Sequence, residues 1–155
     1  MPSSVREHLI FTSIMVFVMC LVMTIYNVII HEGFSVDSLM NGMKLFPLTY
    51  VVAFILEWFV VGIIAMKLVN KFLKPSDPII KRILITAFFF VTGMASLMSL
   101  YGAVITHGFS DNLFAIWKQN ITMNYPMAYF VQVVIAGPLV RFIFGKICPA
   151  EQATN

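Results

Sequence analysis

Glu57 stands in the middle of an apolar run, residues 46–69, long enough to cross a bilayer. An ionised acid at such a place is expensive, roughly 2.5–3.5 kcal/mol on insertion scales. It therefore faces other helices or a polar cavity, and it is neutral unless something offsets its charge. A shift of 75 residues along the chain places Gln132 at the equivalent position of a later apolar run. Two readings follow. In one, Glu57 and Gln132 form a site for a proton or a cation. In the other, a protonated Glu57 hydrogen-bonds Gln132 or a backbone carbonyl and ties helices together.

Other residue types suggest further chemistry. Tyr26, Tyr50, Tyr101 and Tyr125 lie some seven to eight residues from the span centres, roughly 10–12 Å toward the outer side. Asn27 and Asn124 share that depth. They line a polar vestibule above Glu57, or they belong to an interfacial aromatic belt. Lys67 and Arg141, near the opposite side, grip anionic head groups or substrate phosphates, or simply extend to the interface. Met15, Met19 and Met23 make a stripe, echoed by Met94 and Met98, with Cys20 adjacent. Soft sulfur suits Cu(I), but Met is also an ordinary filler of irregular cores. With no paired Cys and no Met-rich outer loop, no metal or cofactor is expected. His31, Glu32 and His107 lie at outer helix ends, where a cation is favoured by the helix dipole; the register pairs His107 with Glu32, so they make no symmetric metal site. No zincin motif or nucleophile arrangement can be assembled at one depth, and no enzymatic activity is expected.

The elements that position these residues come in duplicate. The same 75-residue shift superposes Tyr26 on Tyr101, Gly33-Phe34-Ser35 on Gly108-Phe109-Ser110, Tyr50 on Tyr125, Gly62 on Gly137 and Lys71 on Lys146. Repeat one covers 5–74, a linker 75–79, repeat two 80–149 and a tail 150–155, all within a single membrane domain, 1–155. Each repeat holds two spans, so the second enters the membrane from the same side as the first. The halves are expected to relate by a pseudo-two-fold axis along the membrane normal, as parallel repeats do.

Composition fixes the class. The 155 residues are 60% hydrophobic and 11% charged, with mean hydropathy +0.92, too apolar for a soluble domain of this size. Four runs fit spans: 9–30, 46–69, 83–106 and 121–144. The first is too long for a signal peptide and lacks a cleavage site. Cys20 and Cys148 sit at different depths, which argues against a disulfide. With both termini inside, Arg6, Lys67, Lys71, Lys74, Lys81, Arg82, Arg141 and Lys146 are inside, and only Lys44 and Lys118 outside. This asymmetry makes the net charge of +3 a topology signal and not one of nucleic-acid binding.

After His31 and His107 comes Gly-Phe-Ser. Gly suits a left-handed helix end, Phe packs back on the last turn, and Ser caps the next helix. Val36, Leu39, Met40, Met43 and Phe46 follow at helical spacing, as do Leu113, Ile116, Trp117 and Ile121. Both segments read as short amphipathic helices in the outer interface. In the third span, Ala95, Ser99 and Ala103 form a small-residue face for close packing. Pro138, after Gly137, predicts a kink that frees the Val134 carbonyl; Gly62-Ile63 lacks the proline.

A tandem unit of span, Gly-Phe-Ser, amphipathic segment and second span resembles a family of small bacterial inner-membrane proteins, the domain of unknown function numbered twenty-seven ninety-eight. The resemblance covers nearly the whole chain. Pro138-Leu139-Val140-Arg141 matches a run frequent in that family, whereas repeat one departs from it with Ile63-Ile64-Ala65-Met66. The resemblance implies a bacterial inner membrane and no particular activity.

The expected fold is an all-α integral membrane bundle of four transmembrane helices, two parallel two-helix repeats, each with a short outer interfacial amphipathic helix. Its expected partners are the lipid bilayer and a second copy or another membrane protein. The functional expectation is a proton- or cation-linked transporter or permeation protein centred on Glu57, with a non-enzymatic accessory protein that binds a partner protein or lipid as the alternative.

Overall fold

The structure, a computed structural model, describes residues 4–147; Cys148 and the tail 150–155 lie outside the described residues. Four long helices make up the described chain: α1 (Val5–Glu32), α2 (Val36–Phe72), α3 (Ile79–His107) and α4 (Leu113–Ile147). Each is long and apolar enough to cross a membrane. This is a multi-pass membrane protein built of two helical hairpins, one per repeat. α1 packs on α2, α2 on α3, α3 on α4 and α4 back on α1, which closes a four-helix bundle.

The helix ends follow local rules. Ser4 caps α1, accepting the Glu7 N–H at 3.2 Å. α1 ends at Gly33, whose φ of 79° is open to glycine without the Cβ clash; its N–H bonds Ile29 O at 3.1 Å. Gly108 repeats this at φ 64°, bonding Val104 O. Ser35 caps α2 by accepting the Ser38 N–H at 3.1 Å. Ser110 does not cap α4. Its carbonyl accepts the Leu113 N–H in a turn, and the helix starts after Asn112. Phe34 and Phe109 do not fold back as the Gly-Phe-Ser pattern predicts: they are 80% and 91% exposed.

The amphipathic segments are helical, but they are not set apart from the spans. α2 runs 37 residues without a break, roughly 55 Å, well beyond a hydrocarbon core of about 30 Å. Pro47 and Pro126 sit inside these helices. A proline removes one ladder bond, whereas breaking the helix near lipid would strand several backbone groups, so continuity is favoured.

The buried interior is lined by small residues. On α3, Ala87, Val91, Ala95, Ser99 and Ala103 are all buried, the close-packing face expected of that span. Gly93 belongs to the same helix; a Cβ there would lie 2.8 Å from Val61 Cγ1. The linker between repeats is clasped by Asp77, which accepts the Lys74 N–H and pairs with Lys81, both at 2.8 Å. These donors hold its carboxyl below the usual carboxylate range, the Lys81 hydrogen bond contributing most.

Candidate functional site

Glu57 opens a local widening of α2. Across Glu57–Val61 the hydrogen bonds reach over five residues, and the Gly62 N–H bonds the Glu57 carbonyl. α4 does the same over Val131–Ala136, with the Gly137 N–H on the Gln132 carbonyl. Such π turns accommodate one extra residue and recur at functional sites. Gly62 and Gly137 have a specific task here. A Cβ on Gly62 would lie 2.7 Å from Glu57 O, and one on Gly137 2.9 Å from Gln132 O. The extra residue also turns the helix face back by about 100°. Ala53, Glu57, Val61, Ala65 and Val69 are buried on either side of that turn.

Glu57 is 8% exposed and lies between two cavities. The first, about 60 Å³, is lined by residues of all four helices, with Glu57 and Gln132 on its wall. Met15, Met19, Cys20 and Met94 supply much of the rest. Roughly 10–15 Å³ suffices for one water, so the chamber has room for a few. The second cavity, about 160 Å³, is bounded by His8, Thr12, Trp58 and Met66. Glu57 and Phe90 line both. Among the described residues, no hydrogen bond joins Glu57 to Gln132. No Lys or Arg lines either cavity. Without a Lys or Arg there, an ionised Glu57 carboxylate would have no permanently charged partner on either wall, a costly state for a buried acid.

The other residues singled out in the sequence lie elsewhere. The Tyr50 hydroxyl meets Ser13 Oγ at 2.6 Å, and the Tyr125 hydroxyl meets Thr92 Oγ1 at 3.1 Å. Tyr26 donates to Met123 O at 3.1 Å, and Asn27 donates to Met23 O on its own helix at 2.8 Å. Tyr101 is half-buried. None of the five lines either cavity; three of the tyrosines hydrogen-bond between helices instead. Lys67 and Arg141 are exposed, as are His31, Glu32 and His107 at the opposite ends of the helices. Among the described residues, no group of three or more His, Cys, Asp or Glu is gathered to hold a metal. Cys20 is a free, buried thiol.

Three features escape the sequence reading. The π turns are one; the shared Gly62 and Gly137 were their only sequence signal, since α3 buries residues at the same four-residue spacing with no such turn. The repeat-one turn forms without a proline. The second feature is the meeting of the methionine stripe and Cys20 with Glu57 in one chamber. The third is the second cavity, because neither His8 nor Thr12 stands out in a helical run. His8 packs edge-on against Trp58, with ring centroids 6.1 Å apart.

The comparisons agree with the duplicated architecture. The family described as Domain of unknown function (DUF2798) matches twice, over residues 4–73 and 80–148. A relative from Bacillus subtilis (strain 168), described as uncharacterized protein YybC, is 36% identical over 152 residues, spanning 94% of each chain. No solved structure matches. With both of its hairpins matched in turn, this chain belongs to the DUF2798 family.

Proposed function

We propose that this protein is a proton- or cation-linked transporter or permeation protein of the bacterial cytoplasmic (inner) membrane, centred on Glu57. The observation that carries the reading is the buried carboxyl between two cavities, with no Lys or Arg on either wall. Intramembrane acids that face a cavity and lack a fixed partner mark ion and proton pathways. Gln132 offers an uncharged donor and acceptor on the same chamber, suited to hold a bound ion or water in place. The protein works without chemical turnover in this reading, and its surroundings are the lipid bilayer and a second copy of itself or another membrane protein.

The membrane assignment draws on the resemblance to bacterial inner-membrane proteins and on the bacterial origin of the relative. Cytoplasmic N- and C-termini follow from the distribution of Lys and Arg.

The test is ion flux in proteoliposomes, with a pH-sensitive dye or an ion-selective dye inside. Glu57→Gln is expected to abolish flux while helix content and elution volume stay unchanged. Undiminished flux in that variant, or none in the wild type with protons, Na⁺ or K⁺, removes the transport reading and leaves the accessory one.

A further inference from the structure

One face of α1 connects solvent to the buried acid. His8 is exposed, one turn into the helix. Thr12 lies a turn further along and lines the same cavity. Met15, Val16, Met19 and Cys20 continue that face along the wall of the first cavity. Residues three and four apart share a face of a helix, so these positions form one continuous strip. From α2, Glu57 reaches the strip from across the cavity, with Met66 nearer the end of the bundle. Phe90 on α3 is the wall common to both chambers.

Neither cavity extends toward the opposite end. No cavity residue lies beyond Cys20 on α1 or beyond Ala95 on α3 toward the Gly33 and Gly108 turns. Twelve residues of α1, roughly 18 Å, separate Cys20 from the end of the helix. In that stretch the Tyr26 hydroxyl is bonded to the α4 backbone.

The route is also one-sided with respect to the repeats. The 75-residue shift places Ile83 at the position of His8 and Ala87 at that of Thr12. Repeat two therefore has no polar strip leading to Gln132.

We infer that the cavity flanked by His8 is the aqueous entrance to Glu57, so that protons reach the buried carboxyl from the N-terminal end of α1, with His8 as the exchanging group at its mouth. The inference rests on the proton-site reading of Glu57 and adds to it a direction and a residue. The His8 imidazole takes a proton from bulk water. It passes that proton through water held beside Thr12 to the Glu57 carboxylate, and returns to the neutral form. An imidazole suits this role because it gains and loses a proton near neutral pH. The titratable groups on the two cavities are His8 and Cys20 from α1 and Glu57 from α2; α3 and α4 contribute none.

The experiment is hydrogen–deuterium exchange of the Glu57 carboxyl, followed by infrared spectroscopy of the full chain in lipid nanodiscs. It is run at a pH low enough to protonate that carboxyl. The band is identified by its loss in Glu57→Gln. His8→Phe closes the mouth from α1, and Met66→Trp closes it from α2. Tyr26→Phe is the control at the far end. Slowing by about a hundredfold or more in His8→Phe, the range of a lost proton-transfer group, and slowing in Met66→Trp, with exchange in Tyr26→Phe unchanged, is the expected result. Exchange as fast as wild type in His8→Phe or in Met66→Trp, or slowing in Tyr26→Phe alone, overturns the entrance and leaves the proton site standing. A wild-type carboxyl that never exchanges overturns both.

Discussion

The two hairpins share a backbone and differ in what they place on it. Each ends its first helix on a left-handed glycine, and each widens its second helix by a π turn at the same register. Upon that frame, repeat one carries Glu57 and repeat two carries Gln132. His8 and Thr12 in the first repeat face Ile83 and Ala87 in register. Small and large residues are also exchanged: Gly93 of α3 sits against Val61 of α2, while the register equivalents are Val18 and Ala136. The conserved geometry lies in the backbone, and the asymmetry that chemistry needs lies in a few side chains.

The strongest way to break this comparison is to move the acid. In the double variant Glu57→Gln, Gln132→Glu, the carboxyl still lines the first chamber but sits on the helix without the polar strip. The chain is expected to fold and to show no flux, like Glu57→Gln alone. Restored flux would mean that the two repeats are functionally equivalent and that the second cavity is incidental.

A smaller effect separates backbone from side chain. Gly62→Ala places a Cβ where it meets Glu57 O, and Gly137→Ala does the same at Gln132 O. Each is expected to destabilise by about 1–3 kcal/mol, the usual range for overpacking, with Gly62 the more sensitive because its gap is shorter. Thermal unfolding in detergent checks the order. Two neutral variants would show that the π turns relax freely and hold nothing in place.

The tyrosines sharpen the comparison further. Tyr50 and Tyr125 are register equivalents, yet Tyr50 bonds Ser13 and Tyr125 bonds Thr92; the equivalents of those partners are Phe88 and Phe17. Thr92 Oγ1 already donates to Phe88 O at 2.6 Å, so it has a partner without Tyr125. Tyr50→Phe is expected to cost about 0.6–1.5 kcal/mol, as hydrogen bonds between membrane helices do, and Tyr125→Phe less. Equal losses in the same unfolding assay would contradict the assignment of partners.

The smallest effect belongs to the linker. Asp77 is held below its ordinary value of 3.8. A folded-state value below the unfolded one adds stability above the unfolded value, and that stability fades as pH falls through the folded one. The clasp on Lys74 and Lys81 should therefore persist at neutral pH and loosen only in acid below about 3.8. Asp77→Asn should leave flux unchanged and make a protease cut within 74–78 faster. A cleavage rate unaffected by the substitution would show that the clasp does not order the linker.

What the sequence determined by itself is whatever rests on local pattern. Apolar run length gives the four spans, since 18 or more such residues have few other uses. The 75-residue register gives the duplication, and Gly33 and Gly108 announce their turns because only glycine adopts that backbone cheaply. Even Glu57 announces itself, through the cost of a charge in hydrocarbon. Packing decided the rest. Ser35 caps and Ser110 does not, although both follow Gly-Phe. Phe34 and Phe109 turn outward. The amphipathic segments fuse with the spans because an unbroken helix satisfies its own backbone near lipid. The π turns, the sulfur-lined chamber and the strip from His8 to Glu57 join residues on different helices. A single helix's periodicity carries no record of what its neighbours bring, and so only the assembled bundle makes them visible.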